Sequence, residues 1–532
     1  MKESVLTNFS FKPVTEDQVL NYVKKLNPKK ATGPDEIPAK LLKVSGEVLC
    51  PSLANIINLS IESGTFPSDM KRADVLPIYK KSDSLKKNNY RPVSVLSSFS
   101  KILEGVLNDQ LYSFFSDILH SLLCAFRQNY SCESLLMKVI EDWKLALDNH
   151  EAVGVILMDL SKAFDSLPHE LLIQKLKSYG LAENACNLLL SYLSDRKQRV
   201  KYGGESSKWT NILKGVPQGS ILGPLLFNIF LNDFFYTMEK HCDLYNYADD
   251  NTLSFHDKDI WRVKSHLETA ANIGIKWFEE NDMKANPEKF QAMVLSPGNS
   301  QPIGTDFYFE IEGANIYPEK SVKLLGIFID NKLKFHDQVS HICKQAAKQL
   351  SVLRRFSRVL NEREKLLIFN VFLLSNFNYC PLVWHLCGPT DTSKMEKNQE
   401  RALRFVYNDS LSSYATLLQH AKKPSLYLSR LRKLSLEVHK ILTHQSPSFL
   451  NDLFVMKDSA YNLRDNVKVH QPVFNTMTFG RNSLRYQGAK LWNLLPIEIK
   501  KATNVKQFRN LIKTWLGPSC NCAMCVLCKT RT

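Results

Sequence analysis

Two placements of acidic residues constrain this chain more than any other feature. Tyr247-Ala248-Asp249-Asp250 lies between two short apolar stretches, 244–247 and 252–255, which puts the adjacent carboxylates in the turn of an expected β-hairpin. Asp is common in turns because its side chain hydrogen-bonds nearby backbone, so the pair alone carries little. Ninety residues upstream of Asp249, the run Ala152-Val153-Gly154-Val155-Ile156-Leu157-Met158 reads as a buried strand that ends in Asp159. A third carboxylate thus arrives at the carboxyl end of a strand, and three carboxylates are expected to converge.

Around these positions the motifs fall in a fixed order. Lys29-Lys30-Ala31-Thr32-Gly33-Pro34-Asp35 comes first, then Asn89-Tyr90-Arg91-Pro92-Val93-Ser94 and Ala125-Phe126-Arg127. Asp159-Leu160-Ser161-Lys162-Ala163-Phe164-Asp165 and Gly215-Val216-Pro217-Gln218-Gly219-Ser220 precede the Asp-Asp pair, and Asn286-Pro287-Glu288-Lys289 and Leu324-Leu325-Gly326 follow it. In this order, over about three hundred residues, the set resembles a reverse transcriptase of the jockey type, from a LINE (non-LTR) retrotransposon. The likeness runs from near residue 10 to residue 330 and is weaker in the helical remainder.

The fold this resemblance implies is α+β, a right-hand polymerase with fingers, palm and thumb and a helical C-terminal extension. Its expected division is 1–70 as an N-terminal helical or fingers extension, 71–330 as fingers and palm, 331–400 as thumb-like helices, 401–516 as a helical C-terminal region and 517–532 as a Cys-rich tail. Local patterns agree. Thr15-Glu16-Asp17-Gln18 followed by Val19, Leu20, Val23 and Leu26 predicts a capped amphipathic helix. Leu49, Leu53, Ile56, Ile57 and Leu59 are spaced for another helix, and 73–78 for a strand. Pro168 marks a helix start and Gly180 its end. Residues 220–235 read as a buried helix and 322–329 as the last strand of the palm. Val339, Ile342, Ala346, Leu350, Val352 and Leu353 are spaced for one helical face, with Arg354, Arg355 and Arg358 nearby. Residues 399–442 read as helices whose basic face lies on template RNA or is simply solvated.

Composition bounds the partners. A chain of 532 residues, 44% apolar, buries a large core, and its formal charge of +16 attracts polyanions. Nucleic acid is the expected partner. Twelve cysteines without paired spacing in most of the chain point to a reducing compartment, nucleus or cytoplasm. No signal peptide is expected, since Met1-Lys2-Glu3-Ser4 leads into a mixed polar stretch. The longest charge-free run, 366–384, is interrupted by Asn370, Asn376, Asn378 and Pro381, so it reads as a buried helix followed by a turn and no membrane span is expected.

The chemistry implied is that of an RNA-directed DNA polymerase extending a DNA primer or target 3′ end on an RNA template with dNTPs. Joining a 3′-hydroxyl to an α-phosphate uses two divalent ions about 4 Å apart, and carboxylates bridge them. Mg²⁺, with Mn²⁺ able to replace it, prefers such oxygen ligands. The expected ligands are Asp159, Asp249 and Asp250 with the Leu160 carbonyl, Asp159 and Asp249 bridging by resemblance. Phe164 falls where similar enzymes place a ring beneath the incoming sugar, against the alternative of an ordinary core Phe. Gln218 and Gly219, on a loop freed by Gly215 and Gly219, would line the nucleotide pocket, and Arg91 would bind triphosphate by a charge-assisted bond. Lys289 matches the lysine near the leaving pyrophosphate, where it acts as a catalytic proton donor or neutralises charge, against the alternative of a surface lysine. Lys80 and Lys101 are candidates for further charge there.

Cys520, Cys522, Cys525 and Cys528 carry zinc-like separations, but nine residues leave little chain to wrap an ion, so zinc is disfavoured there. Elements of this type usually carry an endonuclease ahead of the polymerase; here the first helix is expected within some fifteen residues of Met1, so that nuclease is expected to be missing. Two further readings remain open: a catalytically silent or co-opted RNA-binding remnant, and an RNA-templated RNA polymerase, which Phe164 disfavours. Oligomeric state is not legible.

Overall fold

The computed structural model describes residues 8–80, 83–160, 163–297, 304, 306–457 and 467–518, with helices and strands mixed along the chain. It divides into two compact units that interleave in sequence. The first comprises 1–126, 158–251 and 270–289, the second 127–157, 252–269 and 290–532.

The first unit opens with helix Glu16–Lys25, whose Thr15 and Gln18 form the expected capping box. Helix Gly46–Ser63 follows, burying Leu53, Ile57 and Ile61. Ile56 and Leu59 are 40% and 53% exposed, because they lie off that buried stripe. Strand Arg72–Tyr79 is the centre of a sheet, antiparallel to Tyr90–Leu96 (Ile78 opposite Arg91) and parallel to Arg196–Tyr202 (Val75 opposite Val200). Helix Leu222–Met238 is buried on nearly every side, as its continuous apolar composition requires. Its two buried asparagines each find a partner. Asn228 donates to the Ala125 carbonyl, and Asn232 accepts from the His120 amide and donates to the Tyr179 hydroxyl.

In the second unit, strand Ala152–Met158 is a neighbour of Asp250–Asp257 and, antiparallel, of Gln291–Leu295, with Val153 opposite Leu295 and Leu157 opposite Gln291. The single strand expected over 322–329 is two short strands, Ser321–Leu324 and Ile327–Asp330, folded back at Leu325-Gly326. Apolar alternation continues through a two-residue turn, which is why the pattern read as one strand. Helix His336–Arg355 buries Val339, Ile342, Ala346 and Leu350 as expected, while Val352 is 52% exposed. Over 366–384, the expected buried helix is broken by a π turn at Phe369–Leu373, and Leu367, Val371 and Phe372 face solvent.

Helix Cys132–Asp148 organises the rest of this unit. Three of its acids, spaced eight and seven residues apart, share one face and take N–H groups from distant segments. Glu133 accepts from the Leu382 amide at 3.0 Å and pairs with Lys433 at 2.6 Å. Glu141 caps helix Leu484–Asn493 through the Leu484 and Arg485 amides, at 2.7 and 2.9 Å. Asp148 accepts from the Thr476 amide and hydroxyl, both at 2.7 Å, and from the Asn475 amide. No helix among the described residues is long and apolar enough to cross a membrane.

Candidate active site

Asp159 directly follows the buried strand Ala152–Met158, as its sequence predicts, and is exposed. Strand Asp243–Tyr247 leads into the two-residue turn Ala248-Asp249, and Asp250 opens the next strand. Ala248 adopts a left-handed φ of 58°, and the turn is held by the buried Asn246, which donates to the Ala248 carbonyl at 2.7 Å and to the Asn251 side chain at 2.9 Å. Neither asparagine was singled out from sequence, although a polar residue closing an apolar strand is a usable signal.

The three aspartates lie within one another's field. Crowding by protein atoms, then the charges of Asp249 and Asp159, push the Asp250 carboxyl up to about 6, with Lys80 opposing them. Asp250 also keeps accessible surface. Among the described residues nothing donates a hydrogen bond to the carboxylates of Asp249 or Asp250, and no three His, Cys, Asp or Glu side chains stand close enough to hold a metal ion as a closed cluster. Lys289, in the short turn Pro287–Lys289, brings its Nζ to 3.8 Å from Asp159 Oδ2. Leu160 is buried, and its backbone bridges Ala285.

The loop 215–220 is fixed at both ends. The Gly215 amide donates to the Leu167 carbonyl at 2.7 Å and the Val216 amide to the Phe164 carbonyl at 2.9 Å, while the Ser94 amide donates to the Gln218 carbonyl at 2.7 Å. Gly219 has φ 128°, and a Cβ there would meet the Ser94 carbonyl oxygen at 2.5 Å, so only glycine fits. The His169 ring bonds the Gly215 carbonyl at 2.8 Å. Beyond the loop, the fully buried Glu104 accepts from the Ile221 amide at 2.7 Å and the Leu222 amide at 3.3 Å, capping helix Leu222–Met238. Glu104 was missed; a lone acid within the apolar run Ile102-Leu103-Glu104-Gly105-Val106-Leu107 was the signal.

Gln218 Nε2 donates to Asp165 Oδ1 at 2.9 Å. A carboxylate only accepts, so the amide nitrogen must face Asp165 and the amide oxygen must point elsewhere. The half-buried Phe164 ring stacks on Phe227 (centroids 4.2 Å apart, planes at 22°), with the exposed Phe126 edge-on at 5.9 Å. Arg91 is exposed on the strand that carries Ser94. Lys101 lies in the field of Lys30 and Asp35, and burial lowers its pKa. The four cysteines of the tail lie outside the described residues.

All of these loops fall within residues 78–329, which match the family described as reverse transcriptase (RNA-dependent DNA polymerase). This segment is a reverse transcriptase domain. Relatives in Drosophila melanogaster include the probable RNA-directed DNA polymerase from transposon BS, 27% identical over 74% of this chain and 45% of its own length. The RNA-directed DNA polymerase from mobile element jockey is 28% identical over 74% of this chain and 44% of its own. For the probable RNA-directed DNA polymerase from transposon X-element the figures are 24%, 76% and 45%. The chain therefore spans under half the length of these relatives. The reverse transcriptase resemblance is borne out for residues 78–329, and these relatives bear out its jockey type.

Proposed function

We propose that this chain is an RNA-directed DNA polymerase of a non-LTR retrotransposon, which extends a DNA 3′ end on an RNA template. The observation that carries the reading is the Asp159, Asp249 and Asp250 trio, in which burial and then the charges of the other two raise Asp250, inside a reverse transcriptase domain. An all-oxygen donor set of like charge fits a hard divalent ion, Mg²⁺ or Mn²⁺. The ammonium of Lys289 already occupies the field of Asp159. Asp159, Asp249 and Asp250 would hold the ions, with the Leu160 carbonyl as a further oxygen. Bound there, they would lower the charge barrier to attack and to departure of pyrophosphate.

The remaining roles belong to the chain itself. Arg91 would take the triphosphate of the incoming nucleotide and Lys289 would neutralise the leaving pyrophosphate. Phe164, stacked on Phe227, would clash with a ribose 2′-hydroxyl and so select deoxyribonucleotides by repulsion. Gln218 and Gly219 would line the nucleotide pocket. The hairpin Ser321–Leu324 and Ile327–Asp330 would face the primer strand. In this division 71–330 supplies fingers and palm, 331–400 a thumb, and 1–70 and 401–516 helical extensions. The free cysteines among the described residues suit a reducing compartment, nucleus or cytoplasm.

The test is extension of oligo(dT) on poly(rA) by the purified chain with dTTP and Mg²⁺. Synthesis is expected, with Phe164→Val raising the kcat/KM ratio of rNTP to dNTP. No synthesis by folded protein that still binds RNA would favour the co-opted RNA-binding remnant. Duplex binding should weaken steeply with salt as counterions are released, and a flat dependence would show that the charge of +16 is no nucleic-acid footprint.

A further inference from the structure

The hairpin that closes the matched segment turns on two residues of positive φ, Leu325 at 46° and Gly326 at 83°, between the paired Leu324 and Ile327. A two-residue turn of this hand suits Asn-Gly, whereas leucine carries the full Cβ penalty of the left-handed region. That conformation persists only where neighbours over-determine it. One neighbour does. Tyr379 donates its hydroxyl to the Leu325 carbonyl at 2.7 Å, and a Cβ built on Gly326 would lie 3.3 Å from its ring.

Tyr379 is itself fixed. The indole N–H of the buried Trp384 donates to the Tyr379 carbonyl at 3.3 Å, and the Leu382 amide is held by Glu133. Burial raises the Tyr379 phenol well above its ordinary value, so it stays protonated and remains a donor. Its side of the turn is not a core position, since Tyr379 is 45% exposed. The hydroxyl bond and the ring contact are what it contributes to the hairpin. Tyr379 also lies fifty residues beyond residue 329, where the family match ends.

We propose that Tyr379 is a positioning residue, which holds the Leu325-Gly326 turn in the shape that receives the primer strand. This rests on the reading of the hairpin as the primer-facing surface. Removing the hydroxyl frees the carbonyl and leaves the strained leucine to relax, while the aspartates and the loop 215–220 are untouched.

The test uses the full chain on poly(rA)/oligo(dT) with three variants and one combination. Tyr379→Phe should raise KM for primer-template about 2- to 10-fold, the scale of one hydrogen bond, and leave KM for dTTP and kcat within about twofold. Leu325→Asn, which adopts the left-handed region readily, should restore primer KM when combined with Tyr379→Phe. Gly326→Val distorts the turn directly. If it raises primer KM while Tyr379→Phe does not, or if Leu325→Asn fails to rescue Tyr379→Phe, the role of Tyr379 is overturned and the primer-facing hairpin survives. If Gly326→Val also leaves primer KM unchanged, the primer-facing reading falls, and the proposal with it.

Discussion

The acids of helix Cys132–Asp148 and the aspartates of the reverse transcriptase loops have the same chemistry and opposite surroundings. Glu141 and Asp148 are 1% and 5% exposed, and each accepts at least two N–H groups. The side chain of Asp159 is 51% exposed, with one ammonium 3.8 Å away, and Asp250 sits among like charges. A buried carboxylate saturated with donors stabilises the fold and has little affinity left to offer. A partly solvated carboxylate with free lone pairs beside other negative charge is poised for a cation or a proton. Substitutions should therefore separate the two regions, one losing stability and the other activity.

The largest effect is expected at Asp159. Asp159→Asn should lower the extension rate about 10²- to 10⁴-fold, roughly 3 to 5 kcal/mol of transition-state stabilisation, with unfolding by denaturant unchanged. Rates and denaturant midpoints measured on one preparation check both halves.

Asp148→Asn should do the reverse. It replaces an acceptor of three N–H or O–H bonds by a group that is half donor, at about 2 to 3 kcal/mol in the stability of the second unit. A denaturant midpoint equal to wild type would dissolve the contrast.

Acid sensitivity sharpens it further. His385 is fully buried, and burial, with Arg430 and Lys144 nearby, pushes its pKa down to about 3. The unfolded chain takes this proton near 6.5, so the stabilisation is present above that pH and is lost as pH falls from about 6.5 toward 3. The slope should approach about 1.4 kcal/mol per pH unit. His385→Phe should flatten it, as read from denaturant unfolding between pH 7 and 5.

The smallest effect has the opposite sign. Raised to about 6 in the folded chain, Asp250 favours folding most below its unfolded pKa and loses that contribution as pH rises through 6. In chelator at pH 7.5, Asp250→Asn should thus raise thermal stability slightly, the gain being reduced by solvent, and at pH 4 the difference should vanish. Lower stability at pH 7.5 would mean that Asp250 is a structural acid like Asp148.

What the sequence disclosed follows range. Thr15 capping its helix, the strand ending at Asp159 and the Asp249 turn all rest on neighbours a few residues apart, where periodicity and turn chemistry are readable. The contact of Asp148 with Thr476 spans 328 residues, and no local pattern announces it. The Leu325 turn was hidden because its residue types deny the turn its usual signature, and Tyr379, 54 residues away, supplies the support. That Asp159, Asp249, Asp250 and Lys289 come near one another was legible from motif order. Asn246, Asp165, His169 and Glu104, which orient them or the nucleotide-side loop, act through tertiary hydrogen bonds.

The most direct measurement is single-turnover extension of oligo(dT) on poly(rA) with saturating Mg²⁺, comparing wild type, Asp249→Asn and Asp148→Asn at a temperature where all three are folded. Asp249→Asn is expected to fall by at least about 10²-fold while Asp148→Asn stays within about threefold of wild type. Extension by folded Asp249→Asn at the wild-type rate would contradict the assignment of the trio as the catalytic metal ligands.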